Sequence, residues 1–421
     1  MRERFRTPVS YPFRFAGAFA AGLVYLTIGT YNLSATIGAE TAVDTATQDS
    51  QPFLLQMIRD DAVHQELHLD ESDIEQVEQA IAEVDPRWWT SRIKPPQQQQ
   101  AEIRSLSKQL RGRLESLLDQ DQFRRLTELE RQAHGTRMVL RADVSSRLAI
   151  TPDQQTRLKV LFEETDAEIA SIQKDLKDKK IDAQQAAREV ATEQRNERQG
   201  LIDVLTEDQQ SKIGPLVGAT FDFSQVKRTY PRAPDFITEG SDWISDEKVE
   251  MPELRGKVVA VFFYAFQCIN CQRNFPHYKA WHADMADDGL VVVGIQRPET
   301  SAEHDINKVR SAMVKDGFEF PVLFDGDSNN WNAWANTMWP TTYLIDKKGY
   351  VFMGPLMGVL LDRGPSNSGD PTRGHQYVFE NVAGYTNEGF VTTRLFRRVN
   401  RNADAVKSID TDCSDMVEHT V

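Results

Sequence analysis

Residues 258–276 constrain the fold more than any other part of the chain. They begin with a continuous apolar and aromatic run, Val258–Tyr264, which is typical of a strand buried on both faces of a parallel sheet. Cys268 and Cys271 follow, where the strand gives way to a helix. A thiol at a helix N-terminus faces unpaired backbone N–H groups, which favour its thiolate. Because the second cysteine lies one turn further on and can close a disulfide, the pattern predicts a redox-active dithiol in an α/β domain.

The other interpretations of this pair are a half zinc site and two inert structural cysteines. A structural zinc site takes about four ligands, and the remaining cysteine, Cys413, lies far away near the C-terminus. His277 and His282 follow the pair, but their spacing does not place them on one helix face as ligands at i and i+4 would be. The strand-then-helix context therefore favours the redox dithiol, and the sequence predicts neither a metal nor a cofactor.

Length and charge narrow the class of protein. With 421 residues the chain is long enough for two or three domains. Its formal net charge of −14 argues against nucleic acid as a main partner, because like charges repel the phosphates. Three cysteines in a chain of this length do not make a disulfide-stapled scaffold.

Residues 1–39 are expected to be a signal peptide or a membrane anchor. An uncharged run extends from Phe15 to Ala39, and its last residues are small, as cleavage of a signal peptide requires. The run is also long enough to span a bilayer, which takes roughly 20 residues, so an uncleaved anchor is the alternative. Either form predicts a periplasmic or other extracytoplasmic location, where oxidants reach the cysteine pair. The basic residues ahead of the run are Arg2, Arg4, Arg6 and Arg14.

Residues 51–218 are predicted to form a helical domain of four to six helices. Apolar residues recur there at helical spacing, and no strand-like alternation is seen. A short motif recurs in which Thr or Asp is followed three residues later by Gln, which is the pattern of a capping box at a helix start. The three copies begin at Asp119, Thr151 and Thr206, and their spacing is uneven.

These repeats resemble the LTxxQ motif of the Spy and CpxP family of periplasmic helical proteins. The resemblance covers roughly residues 114–218, and it implies a small-chaperone or stress-sensor role with a client-binding surface. A helical spacer or a dimerisation arm would account for the same repeats. The alternative function for the chain is accordingly an envelope scaffold or chaperone-like binding protein with a secondary or degenerate redox domain.

Residues 233–354 are predicted to form an α/β domain, after a linker at 219–232 and before a C-terminal extension at 355–421. Buried strands alternate with helical stretches, which predicts a sheet with parallel strands closed by a hairpin at 341–353. The extension begins with a stretch rich in Gly, Pro and Ser. The predicted strands are 258–264, 290–295, 320–324, 341–346 and 350–353.

The α/β domain resembles the thioredoxin fold of exported TlpA-like proteins, most closely the domain of the DipZ type. The motifs are CINCQR at 268–273, LVVVGI at 290–295, WNA at 331–333, WP at 339–340 and YLID at 343–346. The resemblance implies a thiol–disulfide oxidoreductase in which Cys268 attacks, Cys271 resolves and a cis Pro340 lies against the disulfide. The substrate-binding residues expected around this site are Tyr264, Ile269, Asn270, Trp339 and Thr341.

Three features of this sequence differ from the motifs of related redox families. Phe262 stands where thioredoxins carry a buried Asp that moves the proton of the second thiol, so turnover is expected to be slow. Residues 269–270 lack the His of strong DsbA-type oxidants, which favours a reductase or general exchanger. Ala265 stands where peroxiredoxins place a Thr, so peroxidase activity is not expected. The expected partners are protein disulfides and a membrane electron donor.

Overall fold

The computed structural model describes residues 51–357 and two further short strands, Leu361–Asp362 and Tyr377–Val378. The predicted signal peptide or anchor from Phe15 to Ala39, most of the predicted extension at 355–421, and Cys413 lie outside the described residues. Among the helices of the described part, none is both long enough and apolar enough to cross a bilayer.

Residues 51–218 are helical as predicted, but they contain ten α-helices and not four to six. Three of the first four have only five to seven residues, too few for an apolar repeat to stand out. The helices are α1 (Phe53–Met57), α2 (Asp61–Glu66), α3 (Glu71–Ala82), α4 (Asp85–Ser91), α5 (Pro96–Leu117), α6 (Gln120–Ala133), α7 (Ala142–Leu148), α8 (Pro152–Lys177), α9 (Ala183–Val204) and α10 (Glu207–Val217), with a 3-10 turn at Gly135–Leu140.

The three predicted capping boxes are confirmed at the starts of α6, α8 and α10. In each, the Asp or Thr side chain accepts from the backbone N–H of the Gln, and the Gln side chain accepts from the backbone N–H of the Asp or Thr. The two Thr copies also meet in space. The amide of Gln154 donates to Oε1 of Gln209 at 2.8 Å, and the amide of Gln209 donates back at 3.0 Å. The repeated motif thus joins the starts of two helices.

The helical segment, residues 51–218, has two apolar cores. Helices α1 to α6 enclose the first, into which the chain after α10 also inserts Phe221 and Val226. The second lies among α7 to α10, where Leu158 is completely buried. Each core takes the apolar faces of several amphipathic helices, which is the packing that their sequence spacing predicts.

The C-terminal half is an α/β domain built on a six-stranded sheet in the order β1-β4-β3-β2-β5-β6. The central strands β2, β3 and β4 are parallel, and β5 and β6 form the predicted antiparallel closing hairpin. The strands are β1 (Asp242–Trp243), β2 (Val258–Tyr264), β3 (Leu290–Gln296), β4 (Val322–Phe324), β5 (Thr341–Ile345) and β6 (Val351–Met357); the helices are α11 (Ile269–Met285), α12 (Ile306–Asp316) and α13 (Asn329–Ala333), with 3-10 turns at Phe223–Gln225, Met251–Leu254 and Ser301–His304.

The sheet is buried on both faces, because alternate residues of each strand serve two different cores. Phe262 and Tyr264 face a core that contains Cys271. Phe263 faces the opposite core, and Trp89, which α4 contributes, is part of that core. The helical segment therefore supplies a buried side chain to the α/β domain.

Residues 219–232, predicted to be a linker, are fixed to both halves of the chain. The backbone N–H of Arg228 donates to Asp60 at 2.7 Å, and its guanidinium forms ion pairs with Asp61 and Asp346. Arg232 makes an antiparallel bridge to Tyr350 beside the closing hairpin. The segment that connects the two halves is therefore held by contacts to both of them.

Candidate active site

The two cysteines lie at the start of α11, just beyond the C-terminal end of β2. Cys268 occupies the N-cap position, and its backbone carbonyl accepts a helical hydrogen bond from Gln272 at 3.0 Å. Its side chain is half-buried, whereas Cys271 in the first turn is 0% exposed. Of the two thiols, Cys268 is therefore the accessible one.

Both cysteines are free thiols in this structure, and their side chains share a hydrogen bond. Burial raises the pKa of the Cys271 thiol far above its usual value, and the hydrogen bond to Cys268 raises it further. Cys271 is therefore protonated at neutral pH. The pair consists of one accessible sulfur and one buried, protonated sulfur within hydrogen-bond reach.

Aromatic side chains form the floor beneath the dithiol. Phe262, at the position where a carboxylate would be expected, is fully buried and stacks on Tyr278 with ring centroids 3.8 Å apart. The hydroxyl of Tyr278 shares a hydrogen bond of 2.8 Å with Thr342, and burial raises the pKa of Tyr278. These rings belong to the core that encloses Cys271, and their exclusion of water explains why its thiol holds its proton.

The Trp339–Pro340 peptide bond is cis, which confirms that prediction. Trp339 packs against Trp331 at 4.4 Å between ring centroids and touches the same core as Cys268. The guanidinium of Arg297 lies 4.9 Å from the centroid of each of these two rings. Next to Trp339 in the chain, Met338 keeps 43% of its surface exposed.

The predicted substrate-binding residues divide into two groups. Ile269 and Asn270 lie exposed between the cysteines, and Trp339 is half-buried. Tyr264 and Thr341, by contrast, are each 1% exposed, so neither side chain is open to a substrate, contrary to expectation. Tyr264 faces the core that holds Cys271, and the hydroxyl of Thr341 donates to a backbone carbonyl at 2.8 Å.

Glu303 is a buried carboxylate near the dithiol that was not predicted from the sequence. It is 0% exposed, and one oxygen accepts the backbone N–H of Gln267 at 2.8 Å. The other accepts the N–H groups of Glu299 and Thr300 at 2.7 and 3.0 Å. Glu303 thus ties the loop before Cys268 to the loop after β3. The available signal was the Thr-x-x-Glu pattern at 300–303, which is that of a capping box.

A shallow cleft of about 390 Å³ borders the loop that leads to Cys268. Across residues 51–357, no group of three or more His, Cys, Asp and Glu side chains is arranged to hold a metal ion. The cleft is lined by Phe266, Gln267, Ala302, Asn307, Lys308 and Ser311.

The order of the strands, the dithiol and the cis-proline together define a thioredoxin-like domain. Comparisons with known proteins support the same class. Residues 231–352 match the AhpC/TSA family. The chain is 36% identical to protein DipZ of Mycobacterium tuberculosis over 121 residues, which are 28% of this chain and 17% of DipZ. It is 28% identical to the thiol–disulfide oxidoreductase ResA of Bacillus subtilis over 119 residues, which are 28% of this chain and 62% of ResA.

Among solved structures, a thiol–disulfide isomerase from Corynebacterium glutamicum is similar at 20% identity, with a TM-score of 0.25 over 29% of this chain and 83% of that one. The sequence similarities support a thioredoxin-like domain of the thiol–disulfide oxidoreductase kind. The segment that matches the family begins at residue 231, after the helical segment. The resemblance of the helical segment to the Spy and CpxP family stays a prediction.

Proposed function

We propose that this protein is a thiol–disulfide oxidoreductase that exchanges disulfides with protein substrates through Cys268 and Cys271. The observation that carries the proposal is the difference between the two sulfurs. Cys268 is accessible at a helix N-terminus, and Cys271 is buried within hydrogen-bond reach of it. An accessible attacking thiolate and a protected resolving thiol are what a two-step exchange requires.

In the first step the thiolate of Cys268 attacks one sulfur of a substrate disulfide. A mixed disulfide forms, and the other substrate sulfur leaves as a thiolate. Cys271 then loses its proton and attacks the sulfur of Cys268, which releases the second substrate sulfur and leaves a Cys268–Cys271 disulfide. The substrate gains two electrons, and the domain loses two. A dithiol electron donor has to restore the reduced pair before the next turnover.

The second step is expected to be the slow one. The raised pKa of Cys271 disfavours the thiolate that must attack, and Phe262 supplies no carboxylate to take its proton. The substrate thiolate released in the first step is a base that the reaction itself generates, and it would accept that proton. A mixed disulfide should consequently persist longer here than in an enzyme with a carboxylate at this position.

The substrate would lie over the surface formed by Ile269, Asn270 and Trp339, with Pro340 orienting its backbone. The lack of a His at 269–270 supports a reductase or general exchanger over a strong oxidant. The Ala at position 265 supports disulfide exchange over peroxide reduction. The uncharged run at residues 15–39 supports an extracytoplasmic location, with a membrane protein as the electron donor.

The test compares the wild-type chain with Cys268→Ser and Cys271→Ser in the reduction of insulin disulfides. Cys268→Ser should be inactive, because the attacking sulfur is gone. Cys271→Ser should accumulate a mixed disulfide that dithiothreitol releases. The matched control is Cys413→Ser, the same chemical change in the C-terminal extension, which should behave as wild type. Insulin reduction that survives in Cys268→Ser would refute the mechanism. Efficient reduction of hydrogen peroxide by the wild-type protein would show that the activity is that of a peroxidase and not disulfide exchange.

A further inference from the structure

Arg92 belongs to the helical segment but binds the α/β domain. It follows α4, and its Nη2 atom donates to the backbone carbonyls of Trp334 at 2.5 Å and Ala335 at 3.1 Å. The same atom lies 2.8 Å from the hydroxyl of Tyr343 on β5. The guanidinium also stacks over the ring of Trp89, 3.5 Å from the centroid. Contacts of this kind hold a planar guanidinium in one orientation.

The carbonyls that Arg92 binds belong to Trp334 and Ala335, at the start of the segment that leads from α13 to the cis Trp339–Pro340 bond. Ala335 has φ +48°, a left-handed conformation that costs on the order of 1 kcal/mol for a residue other than glycine. Such a conformation persists where its surroundings hold it. Here Arg92 binds the Ala335 carbonyl, and the hydroxyl of Tyr343 donates to the side chain of Asn336 at 2.5 Å. Residues 334–336 are thus fixed in part from the helical segment.

The residues that follow include Trp339, whose side chain packs against the same core as Cys268. Met338 is exposed, Trp339 packs against Trp331, and the cis peptide bond to Pro340 comes next. Trp339 touches both cores of the sheet, including the one that Cys268 joins. Since residues 334–336 come shortly before residues 338–340 in the chain, a displacement of their backbone would move residues 338–340 relative to the attacking sulfur.

We propose that Arg92 is a positioning residue for the thiol–disulfide site, through which the helical segment sets the geometry of the loop that receives the substrate. The inference rests on the exchange reaction proposed above. It assigns the helical segment a role in the redox reaction itself, in place of the spacer or separate binding module that its sequence suggests. Arg92 stacks on Trp89 of one core of the sheet, whereas Cys271 lies in the other. Arg92 acts by holding residues 334–336, and with them residues 338–340, where an extended substrate meets Cys268.

The test measures insulin reduction by full-length wild type, Arg92→Ala and Arg92→Lys. A shift of about 1 Å at a reacting group can lower a rate by about 100-fold, so we expect Arg92→Ala to lose about 10- to 100-fold in kcat/KM, mainly through KM. Arg92→Lys keeps the charge and the apolar stem but not the planar fork, and it should recover part of this loss. If Arg92→Ala does not fold, the activity of Arg92→Lys still tests the proposal.

Two controls separate positioning from general stability. Arg228→Ala removes the ion pairs that join the linker to both parts of the chain, to Asp61 in the helical segment and to Asp346 in the α/β domain. Asp346 follows the C-terminal end of β5, whereas Pro340 precedes the N-terminal end of that strand. Because partly exposed ion pairs contribute little, this variant should leave kcat/KM within about 2-fold of wild type. Alkylation of Cys268 by iodoacetamide, a reagent too small to need the loop, should proceed at the wild-type rate in Arg92→Ala.

Three results would overturn the proposal: an unchanged kcat/KM in Arg92→Ala, an equal loss in Arg228→Ala, or a parallel loss of Cys268 alkylation. A failure of the exchange reaction would look different, because wild type itself would then reduce no insulin. In that case the proposed function falls together with the role of Arg92 in it.

Discussion

Trp89 provides the sharpest test of whether the helical segment is part of the α/β domain. Its indole is 4% exposed, and it lies in the core beneath the sheet with Phe263 and Tyr343. The ring centroids of Trp89 and Tyr343 are 5.8 Å apart. Truncation of a buried Trp to Ala costs about 3–5 kcal/mol, the sum of lost apolar burial and the cavity left behind. We expect Trp89→Ala to destabilise the α/β domain by this amount, although the substituted residue lies in a helix outside it.

The buried Cys271 thiol can report this effect directly. It reacts with a thiol reagent only when the α/β domain opens, and each 1.4 kcal/mol of destabilisation raises the open fraction about tenfold. A loss of about 3 kcal/mol therefore predicts labelling faster by about 100-fold or more. The assay uses the Cys268→Ser background under native conditions and follows the peptide that contains Cys271 by mass spectrometry.

The matched control is Leu158→Ala in the core of α7 to α10. Leu158 is 0% exposed, so its loss costs a comparable amount, about 2–5 kcal/mol, but it destabilises a core of the helical segment that does not contain Trp89. We expect this variant to leave Cys271 labelling within a few-fold of the background rate. If Trp89→Ala accelerates labelling no more than Leu158→Ala does, Trp89 is not part of the core of the α/β domain.

Two further predictions concern buried titratable groups. His134 lies 3.0 Å from the guanidinium of Arg141. Its burial, and to a smaller extent the positive charge of Arg141, lower the pKa of His134 from 6.5 to about 3. As the pH falls, His134 is therefore protonated in the unfolded chain before it is protonated in the folded one. Its contribution to the free energy of unfolding is present above about pH 6.5 and is lost at about 1.4 kcal/mol per pH unit as the pH falls towards about 3. We expect His134→Asn to reduce the fall in urea-unfolding free energy between about pH 6.5 and 4.5 by about 2.3 kcal/mol; an unchanged pH dependence would contradict this. Glu303→Gln leaves one carbonyl oxygen for three backbone N–H donors. We therefore expect the free energy of unfolding, measured with urea, to fall by about 1–3 kcal/mol, and insulin reduction to become slower. Asp305→Asn, at an exposed helix start close by, is the control, and equal effects in the two variants would show that the buried carboxylate has no special role.

Features that depend on near neighbours in the chain were predictable. The run 258–264 forms the expected central strand, and Cys268 stands at the start of the expected helix. The capping boxes at Asp119, Thr151 and Thr206 are present, because each is closed within four consecutive residues. The cis bond before Pro340 followed from the resemblance to a known fold.

The departures from expectation have physical reasons in the packing. Tyr264 and Thr341 were expected to meet the substrate, but strand alternation turns Tyr264 into the core, and a backbone carbonyl binds the hydroxyl of Thr341. Residues 219–232 connect the two halves, and the ion pairs of Arg228 to Asp61 and Asp346 depend on residues that only the fold brings together. Glu303 was not predicted, because its buried position depends on the loop before Cys268, whose backbone N–H at Gln267 it accepts.

The chemistry proposed for this protein depends on a pattern that is visible in the chain alone, a pair of sulfurs one helical turn apart at the end of a buried strand. Such patterns are local, since helix period, strand alternation and capping spacing are set by neighbouring residues. That Arg92 of the helical segment binds the backbone of residues 334–335 became visible only in the packed molecule. Arg92 and Trp334 are 242 positions apart, and no local pattern encodes a contact over that distance. Packing brings them together because the aromatic core of the α/β domain is completed by a helix from the other half.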